Sequence, residues 1–481
     1  MSIRFVDGEI RLLSQKTRMP FRYGIATMTE FPLLFLRVSI EINGRLARGV
    51  SSDLLPPKWF TKIAEKDPDE EIGEMLEVIR RAIELARGLD GDSIFALWWS
   101  LYERQSSAGR SLGEAPLLSH FGTSLVERAM IDAFARDQGI SFHALIKSNA
   151  LGVDLGRIHP VLEGSVPSDW VPPVPLATLT ARHTVGLGDP LATADLAATE
   201  RVDDGLPQSL EECIDRYGLR HFKIKIGGNP GVDFPRLREM VSIVKSRVGD
   251  SARYTLDGNE QFSDGESWED YWQELRREPW FGSFAEKLLF VEQPLHRKIA
   301  LDVDLGRIEF GGTRPLRVLI DESDAELGSL PRALNLGYAG TSHKNCKGVF
   351  KGLANRCLIE YRQRTDRDQG QWWMMSGEDL CNQGPVALLQ DLAVMACLGI
   401  ESVERNGHHY CHGLEGLDKK VRDGMLHHHA DLYEETGKGW LGLRIAEGSI
   451  TLGSINESPF GVGYEVPLNG LQTLAEWDAG A

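Results

Sequence analysis

The spacing of hydrophobic and polar residues predicts a strand-rich start followed by helices. Residues 1–55 have the alternating pattern of a β meander, and Asn43-Gly44 within them predicts a hairpin turn. Residues 68–147 instead predict helices, because apolar side chains recur there at helical spacing. We therefore expect a first, α+β domain over residues 1–165.

After a proline-rich linker at 167–175, strand-like and helix-like patterns alternate. Eight candidate strands are predicted, at 176–181, 221–226, 253–256, 287–291, 317–320, 338–342, 372–376 and 401–404. This alternation favours a closed, parallel (β/α)₇–₈ barrel of the TIM type over residues 172–440. A doubly wound open sheet is the alternative. The tail, 441–481, is again rich in strand patterns and is expected to return to the first domain.

The composition of the 481-residue chain is that of a globular protein with an acidic surface. Apolar residues make up 42% and charged residues 26%, which excludes a disordered chain. The formal net charge of -17 argues against nucleic acid and anionic membranes as partners. The six cysteines lack zinc-type spacing and the N-terminus lacks an apolar signal core, so we expect a cytoplasmic protein with reduced thiols. Acidic barrels of this size often associate, so a homo-oligomer is compatible with the sequence.

The second candidate strand carries two lysines at alternating positions. Lys223 and Lys225 share one face of this strand, and Phe222, Ile224 and Ile226 share the other. A half-exposed antiparallel strand is one explanation of the pattern. In a parallel barrel, however, helices cover the outer face, so both lysines would point inward. Cations inside a barrel are costly unless anions lie beside them.

Carboxylates at the ends of the next three strands supply such anions. Asp257, Glu292 and Asp321 each end a candidate strand and are separated by roughly 30 residues, the length of one βα unit. In a barrel they would converge at the carboxyl face and repel one another unless a cation lay between them. A small set of oxygen ligands favours Mg²⁺. Three unrelated acidic residues at strand ends are the alternative.

The sixth candidate strand is followed by a further lysine. Lys344 would lie across the barrel mouth from the second strand. His343 should point to the opposite side of its strand, and Lys347 is interpreted as an ordinary residue at the start of the next helix.

Taken together, these segments resemble the enolase superfamily, and within it the mandelate racemase/muconate lactonising enzyme subgroup. The motifs that carry the resemblance are Lys223-x-Lys225, Asp257-Gly-Asn259, Val291-Glu292-Gln293-Pro294, Asp321-Glu322-Ser323 and Lys344-x-x-Lys347-Gly348. The N-terminal region and the tail resemble that family's capping domain, and the segment 21–28 resembles its specificity loop.

The resemblance implies a role for each matching residue. Asp257, Glu292 and Asp321 would hold Mg²⁺, and Lys225 and Lys344 would be acid/base residues on opposite faces of a small-molecule carboxylate. The implied substrate-binding residues are Lys223, Asn259, Ser376 and Glu378. His408, in a histidine-rich segment after the eighth strand, is either a substrate contact or part of a structured loop.

The implied reaction removes the proton α to the substrate carboxylate through an enediolate that Mg²⁺ stabilises, a pattern already described for this superfamily. Neighbouring positive charge is expected to lower a lysine pKa toward neutrality and make the amine a base. Lysines on both faces favour racemisation or epimerisation. Three alternatives stay open: a cycloisomerase, an acid-sugar dehydratase that pairs His343 with Asp379, and a non-catalytic metal-binding barrel.

Overall fold

The computed structural model describes residues 1–308, 310, 316–366 and 372–480, and it begins with an antiparallel sheet packed against helices. The elements of this cap are β1 (Ile3–Tyr23), β2 (Ala26–Ile42), β3 (Arg45–Leu54), α1 (Pro68–Ala86), β4 (Asp90–Gly91), α2 (Ile94–Leu112), α3 (Pro116–Gln138), α4 (Phe142–Lys147) and α5 (Leu155–Ile158). Asn43 and Gly44 have φ angles of 49° and 82°, and they make the predicted tight turn between β2 and β3.

Eight parallel strands then form a closed barrel, which confirms the predicted fold and excludes the open sheet. The strands are β5 (Thr178–Val185), β6 (His221–Lys225), β7 (Arg253–Asp257), β8 (Leu288–Glu292), β9 (Val318–Ile320), β10 (Gly340–His343), β11 (Met374–Gly377) and β12 (Ser402–Arg405). β12 pairs with β5, with Val403 opposite Ala181, so the sheet closes on itself. Each predicted strand overlaps an observed one.

Helices surround the barrel. They are α6 (Leu210–Tyr217), α7 (Pro230–Val248), α8 (Gly265–Leu275), α9 (Phe281–Ala285), α10 (Arg297–Ala300), α11 (Ser329–Asn335), α12 (Val349–Thr365), α13 (Ala387–Leu398), α14 (Gly407–Tyr410) and α15 (Lys419–His428). α6 illustrates the local signals: Ser209 Oγ accepts a hydrogen bond from the Glu212 N–H at 3.2 Å, and Gly218 ends the helix with a φ of 63°. Within the described ranges, no helix is both long and apolar enough to cross a membrane.

The C-terminal residues join both parts of the molecule. Their elements are β13 (Tyr433–Thr436), β14 (Trp440–Leu443), β15 (Ser449–Thr451), α16 (Gly453–Glu457), β16 (Gln472–Thr473) and α17 (Leu474–Gly480). β16 pairs with β1 of the cap, with Thr473 opposite Arg11. β15 pairs with β5 of the barrel, with Ile450 opposite Leu179. The tail therefore adds an antiparallel strand to the barrel sheet before it reaches the cap, whereas the sequence led us to expect only the return to the cap.

The hairpin between β1 and β2 covers the carboxyl end of the barrel. Arg18, which is buried, donates to Asp204 at 2.6 Å and to the carbonyl of His409 at 2.8 Å. Phe21 stacks on Tyr410 with the ring centroids 4.1 Å apart. The segment that resembles a specificity loop is thus the tip of a β-hairpin that is anchored to the barrel and whose register is irregular between Lys16 and Phe21.

Candidate active site

The ends of neighbouring barrel strands bring the predicted site residues to one height. Lys225 on β6 lies opposite Asp257 on β7, and Asp257 lies opposite Glu292 on β8. Asp321 directly follows β9, and Lys344 directly follows β10. All five side chains are buried at the carboxyl end of the barrel, where enzymes of this fold carry their active sites.

Ammonium and carboxylate groups alternate across this end of the barrel. Lys225 Nζ lies 2.6 Å from Asp257 Oδ2, and Lys223 Nζ lies 2.9 Å from the same oxygen. Lys223 Nζ is also 2.7 Å from Glu292 Oε2. Each carboxylate therefore has a cation beside it, as the cost of burying charge requires.

The same alternation of ammonium and carboxylate groups continues on the other side of the barrel, after β9 and β10. Lys344 Nζ is ion-paired with Asp321 and lies 3.8 Å from Glu292 Oε1. Lys347 Nζ donates to Asp321 Oδ1 at 3.0 Å. Although burial opposes the shift, Lys344 and Lys347 hold the pKa of Asp321 well below its usual range. The interpretation of Lys347 as an ordinary helix-start residue is wrong, because a short 3₁₀ turn at Asn345–Lys347 folds its side chain back to Asp321.

Lys223 lies at the centre of this network. In addition to Asp257 and Glu292, its Nζ is 2.6 Å from Glu378 Oε2 and 3.1 Å from Glu404 Oε2, and only 1% of the side chain is exposed. Although burial opposes the charge, the four carboxylates raise the pKa of Lys223 well above its ordinary value. A substrate carboxylate would have to replace one of these partners to make the predicted contact with Lys223.

Glu292 is the carboxylate that the network satisfies least. It is fully buried, and although Lys223 Nζ is near, neither of its oxygens accepts a hydrogen bond of acceptable geometry. Burial and the neighbouring Glu378 raise the pKa of Glu292 well above its usual range. A buried carboxylate without hydrogen bonds is costly, so this position favours an additional cationic partner.

The three predicted ligands fit a magnesium ion in their chemistry and in the strands that carry them. Asp257, Glu292 and Asp321 offer only oxygen atoms and project from the ends of three adjacent strands. The ammonium groups of Lys223 and Lys344 now lie between these carboxylates, so within the described residues the three carboxylates do not form one cluster of oxygens. Binding of Mg²⁺ there would require both ammonium groups to withdraw.

Lys344 holds its proton firmly in this structure. Although burial opposes the charge, Asp321 and Glu292 raise the pKa of Lys344 above its ordinary value. The charged groups that contact Lys344 here are carboxylates, so a lowering of its pKa by lysine and metal charges together stays a prediction. Trp59 of the cap covers the ammonium group, with the ring centroid 5.1 Å from Nζ, which adds a cation–π contact.

A cavity of about 40 Å³ lies between these residues and the cap. Its barrel wall consists of Lys223, Lys225, Asp257, Asn259, Lys344, Asp379, Leu380, Cys381, Glu404 and Asn406. Its cap wall consists of Phe21, Tyr23, Met28, Pro56 and Trp59. The volume has room for only a few water molecules, which is less than a small carboxylic acid occupies.

Ser376 and Glu378, two of the predicted substrate contacts, lie below this cavity. Ser376 Oγ is 3.0 Å from the guanidinium of the buried Arg182, which also pairs with Glu378. Both side chains therefore belong to a polar layer inside the barrel, and neither forms part of the cavity wall.

His408 and Asn259 differ in their relation to the cavity. His408 lines a separate cavity of about 30 Å³, and its Nε2 lies 3.2 Å from His183 Nδ1. Asn259 is in the wall of the main cavity, and its backbone N–H donates to Asp257 Oδ1 at 2.8 Å. Of the two, only Asn259 is placed to contact a molecule bound beside Lys225.

The sequence interpretation missed several residues of the cavity wall, among them Glu404 and Trp59. Glu404 accepts a hydrogen bond from Thr184 at 2.6 Å and lies beside Lys223. It ends the eighth predicted strand, so the strand-end argument applied to Asp257 would also have identified it. Trp59 comes from the cap, and no pattern in the sequence indicates which barrel residue it covers.

Asp379 is a buried carboxyl group of the cavity wall. Its oxygens accept hydrogen bonds from the backbone N–H groups of Asn382 at 2.8 Å and Asn406 at 3.1 Å. Burial raises the pKa of Asp379 to about 7, against the opposing charge of Arg405. The folded protein therefore binds a proton here more tightly than the unfolded chain does.

Asp379→Asn is expected to weaken the dependence of stability on pH. A carboxyl whose pKa is higher in the folded state stabilises the fold at low pH, and this contribution is lost as the pH rises from about 4 to about 7. For one proton the loss is at most about 1.4 kcal/mol per pH unit. Urea unfolding at about pH 5 and about pH 7 should give a smaller difference for the variant than for the wild type. The exposed variant Asp92→Asn is the control. If the free energy of unfolding of Asp379→Asn changes between the two pH values as much as that of the control, the prediction is contradicted.

Comparison with known proteins gives no match by sequence and many by structure. No family model and no curated protein matches the chain. A mandelate racemase/muconate lactonizing protein from Herpetosiphon aurantiacus has 15% identity and a TM-score of 0.60, with 96% of this chain and 99% of that chain covered. The muconate lactonizing enzyme from Pseudomonas fluorescens, complexed with muconolactone, has 16% identity and a TM-score of 0.59, with 99% and 98% covered.

A third similar structure is the dipeptide epimerase from Enterococcus faecalis V583, complexed with Mg and the dipeptide L-Leu-L-Tyr. It has 14% identity and a TM-score of 0.57, with 93% of this chain and 99% of that chain covered. Identities this low establish a shared fold, a closed barrel with an N-terminal cap. The reaction has to be inferred from the residues of the site.

Proposed function

We propose that this protein is a member of the enolase superfamily that removes the proton α to the carboxylate of a small molecule, with racemisation or epimerisation as the outcome. The placement of Lys225 and Lys344 carries the proposal. β6 and β10 are four strands apart in a barrel of eight, so the two ammonium groups lie on opposite sides of the cavity that both line. Asp257, Glu292 and Asp321 end the three strands between them.

Asp257, Glu292 and Asp321 would together hold Mg²⁺. When bound, the ion would stabilise the negative charge that develops on the substrate carboxylate as the α-proton leaves. Glu292, whose oxygens accept no hydrogen bond from the described residues, would then gain a cation in addition to the nearby ammonium of Lys223. The magnesium in the similar dipeptide epimerase structure supports this assignment.

The two lysines would transfer the proton. Lys344 would accept the proton as a neutral amine, because a cation held by Asp321 and Glu292 would weaken the attraction of these carboxylates that raises its pKa. Lys225 would deliver a proton to the opposite face of the same carbon. Exchange of roles between the two groups would make the reaction reversible, as racemisation requires.

The cap wall of the cavity would bind the remainder of the substrate. Phe21, Tyr23, Met28 and Trp59 give it an aromatic and apolar lining, whereas the barrel wall is charged. A carboxylic acid with a hydrophobic substituent at the α-carbon matches this division.

The alternative of an acid-sugar dehydratase loses its support. His343 Nε2 lies 3.0 Å from Asn345 Oδ1, and its ring is so close to Gly352 of α12 that a Cβ there would be 2.1 Å from Nδ1. His343 therefore faces the helices, while Asp379 lines the cavity. The two residues do not form the acid/base pair that a dehydratase would need.

Deuterium exchange tests the proposal. In D₂O with Mg²⁺, the protein is expected to introduce deuterium at the α-carbon of an acid in a panel that includes mandelate and dipeptides. EDTA should stop the exchange, and Glu292→Gln should slow it by about 10²-fold or more, since it removes one charge from the cation site. NMR measures the exchange.

A matched control for this experiment is Glu286→Gln, which alters an exposed carboxylate just after α9. It should exchange at the wild-type rate. Folded wild-type protein that exchanges no acid in the panel, or a Glu292→Gln variant as fast as the control, would contradict the proposed function.

A further inference from the structure

A second group of chemically reactive side chains lies outside the barrel interior. On β5, Arg182 and Thr184 point into the barrel, so His183 between them faces the surrounding helices. There it meets Cys213 of α6 and His409 of α14, and all three side chains are buried. None of the three lines the cavity beside Lys225.

The three side chains are close enough to share one ion. One ligand atom from each, a nitrogen or the sulfur, lies within 4.8 Å of the other two, and among the described residues no other such trio comes this close. Cys213 Sγ and His409 Nδ1 are 3.5 Å apart. With Zn–S near 2.3 Å and Zn–N near 2.0 Å, sulfur and nitrogen ligands of a tetrahedral zinc ion are about 3.5 Å apart.

His409 directs one ring nitrogen toward Cys213. Its Nδ1 faces Cys213, and its Nε2 lies 4.0 Å from Asp189 Oδ2. At this distance the carboxylate makes no hydrogen bond to the ring, because Asp189 Oδ2 accepts from the Tyr410 hydroxyl and the Gly186 N–H instead. His408 adjoins the group through a hydrogen bond between its Nε2 and His183 Nδ1 at 3.2 Å.

The protonation states suit a metal ion that binds nitrogen and sulfur. Burial lowers the pKa of His183 to about 4 and holds the pKa of His409 well below its usual range, so both imidazoles are neutral with a free electron pair. Burial raises the pKa of the Cys213 thiol, so the thiol carries its proton when no metal is bound. Metal binding would replace that proton and release it to solvent.

We propose that His183, Cys213 and His409 form a binding site for a divalent transition metal ion of the zinc type. A thiolate and two imidazoles select such an ion over Mg²⁺, so this site is chemically distinct from the carboxylates of the cavity. The ion would connect β5 to α6 and α14. It would thereby stabilise the point where the cap hairpin is anchored, since Arg18 donates to the carbonyl of His409.

The sequence spacing did not indicate this site. Cys213 and His409 are 196 residues apart, and no two of the ligands share an element. Only closure of the barrel, which places β12 and the following α14 beside β5, brings them together.

Titration of the metal-free, full-length protein with Co²⁺ tests the proposal, with excess Mg²⁺ present to saturate the carboxylates. One equivalent of Co²⁺ should give the near-ultraviolet charge-transfer absorption of a thiolate–cobalt bond and the intense visible bands of a tetrahedral site. Zn²⁺ should displace the Co²⁺ and abolish both. Wild-type protein without the thiolate band at one equivalent would overturn the proposal.

Two variants identify the ligands. Cys213→Ser should lose the charge-transfer band, whereas Cys357→Ser, which alters another buried cysteine in α12, should keep it. His409→Gln should bind Co²⁺ at least about 10-fold more weakly. Circular dichroism verifies that each variant is folded. Survival of the band in Cys213→Ser, or unchanged affinity in His409→Gln, would overturn the assignment.

Discussion

Replacement of Lys344 with alanine is expected to slow the interconversion of substrate enantiomers by about 10²–10⁴-fold, the usual contribution of one general acid or base. The amine on the far wall of the cavity would be gone, while Lys225 would remain. The fold should survive, because Lys347 still lies 3.0 Å from Asp321 and keeps that carboxylate paired.

The prediction can be tested separately with each enantiomer of an acid that exchanges its α-proton in the deuterium experiment. Lys344→Ala should lose α-proton exchange for one enantiomer and retain it for the other, whose proton faces Lys225. Chiral chromatography follows racemisation, and NMR follows exchange. Lys420→Ala, at an exposed position in α15, serves as the control and should behave as the wild type. Racemisation by Lys344→Ala at the control rate would exclude the two-lysine mechanism.

Lys223→Met is expected to cause the largest loss of stability, about 3–5 kcal/mol in the free energy of unfolding. The methionine fills a similar volume but leaves Glu378 and Glu404 without the ammonium group that lies 2.6 Å and 3.1 Å from their oxygens. Asp257 and Glu292 would lose the same partner. Buried carboxylates without a cation favour their protonated form, so their pKa values in the folded variant should rise.

The sign of the pH dependence follows from that rise. Groups with a higher pKa in the folded state stabilise the fold at low pH and lose this contribution as the pH increases. In urea unfolding, the loss of unfolding free energy that Lys223→Met causes relative to the wild type should therefore be larger at about pH 8 than at about pH 5. Lys287→Met is the control and should cost about 1 kcal/mol or less, because among the described residues Lys287 pairs only with the exposed Asp250 and with a backbone carbonyl. A Lys223→Met variant as stable as this control would refute the central role of Lys223.

The barrel and the strands that carry the site could be predicted from the sequence because the signals are local. Strand period and strand-end position are enough to place Lys225, Asp257 and Glu292 on neighbouring strands, and the register pairs them directly. The inward direction of the lysines followed from one physical condition, that helices cover the outer face of a parallel barrel.

The partners of each charged group could not be predicted in the same way. Lys223 contacts carboxylates from four other strands, which depends on how the barrel closes. Lys347 contacts Asp321 only because a short turn reverses the chain after β10. His408 was a candidate substrate contact, but the short helix α14 directs it to a separate cavity. Each of these outcomes depends on local geometry or on contacts between distant segments.

The opposed positions of β6 and β10 set the spacing of the two amines that would transfer the proton in the proposed reaction. The distance between Lys225, at the end of β6, and Lys344, the first residue after β10, depends mainly on the number of strands and on the diameter of the barrel. Substitutions in the hairpin tip at residues 21–28 would therefore change which acids are admitted while the spacing of the two amines stays constant. Over evolution, such a chain can acquire new substrates by altering its entrance alone.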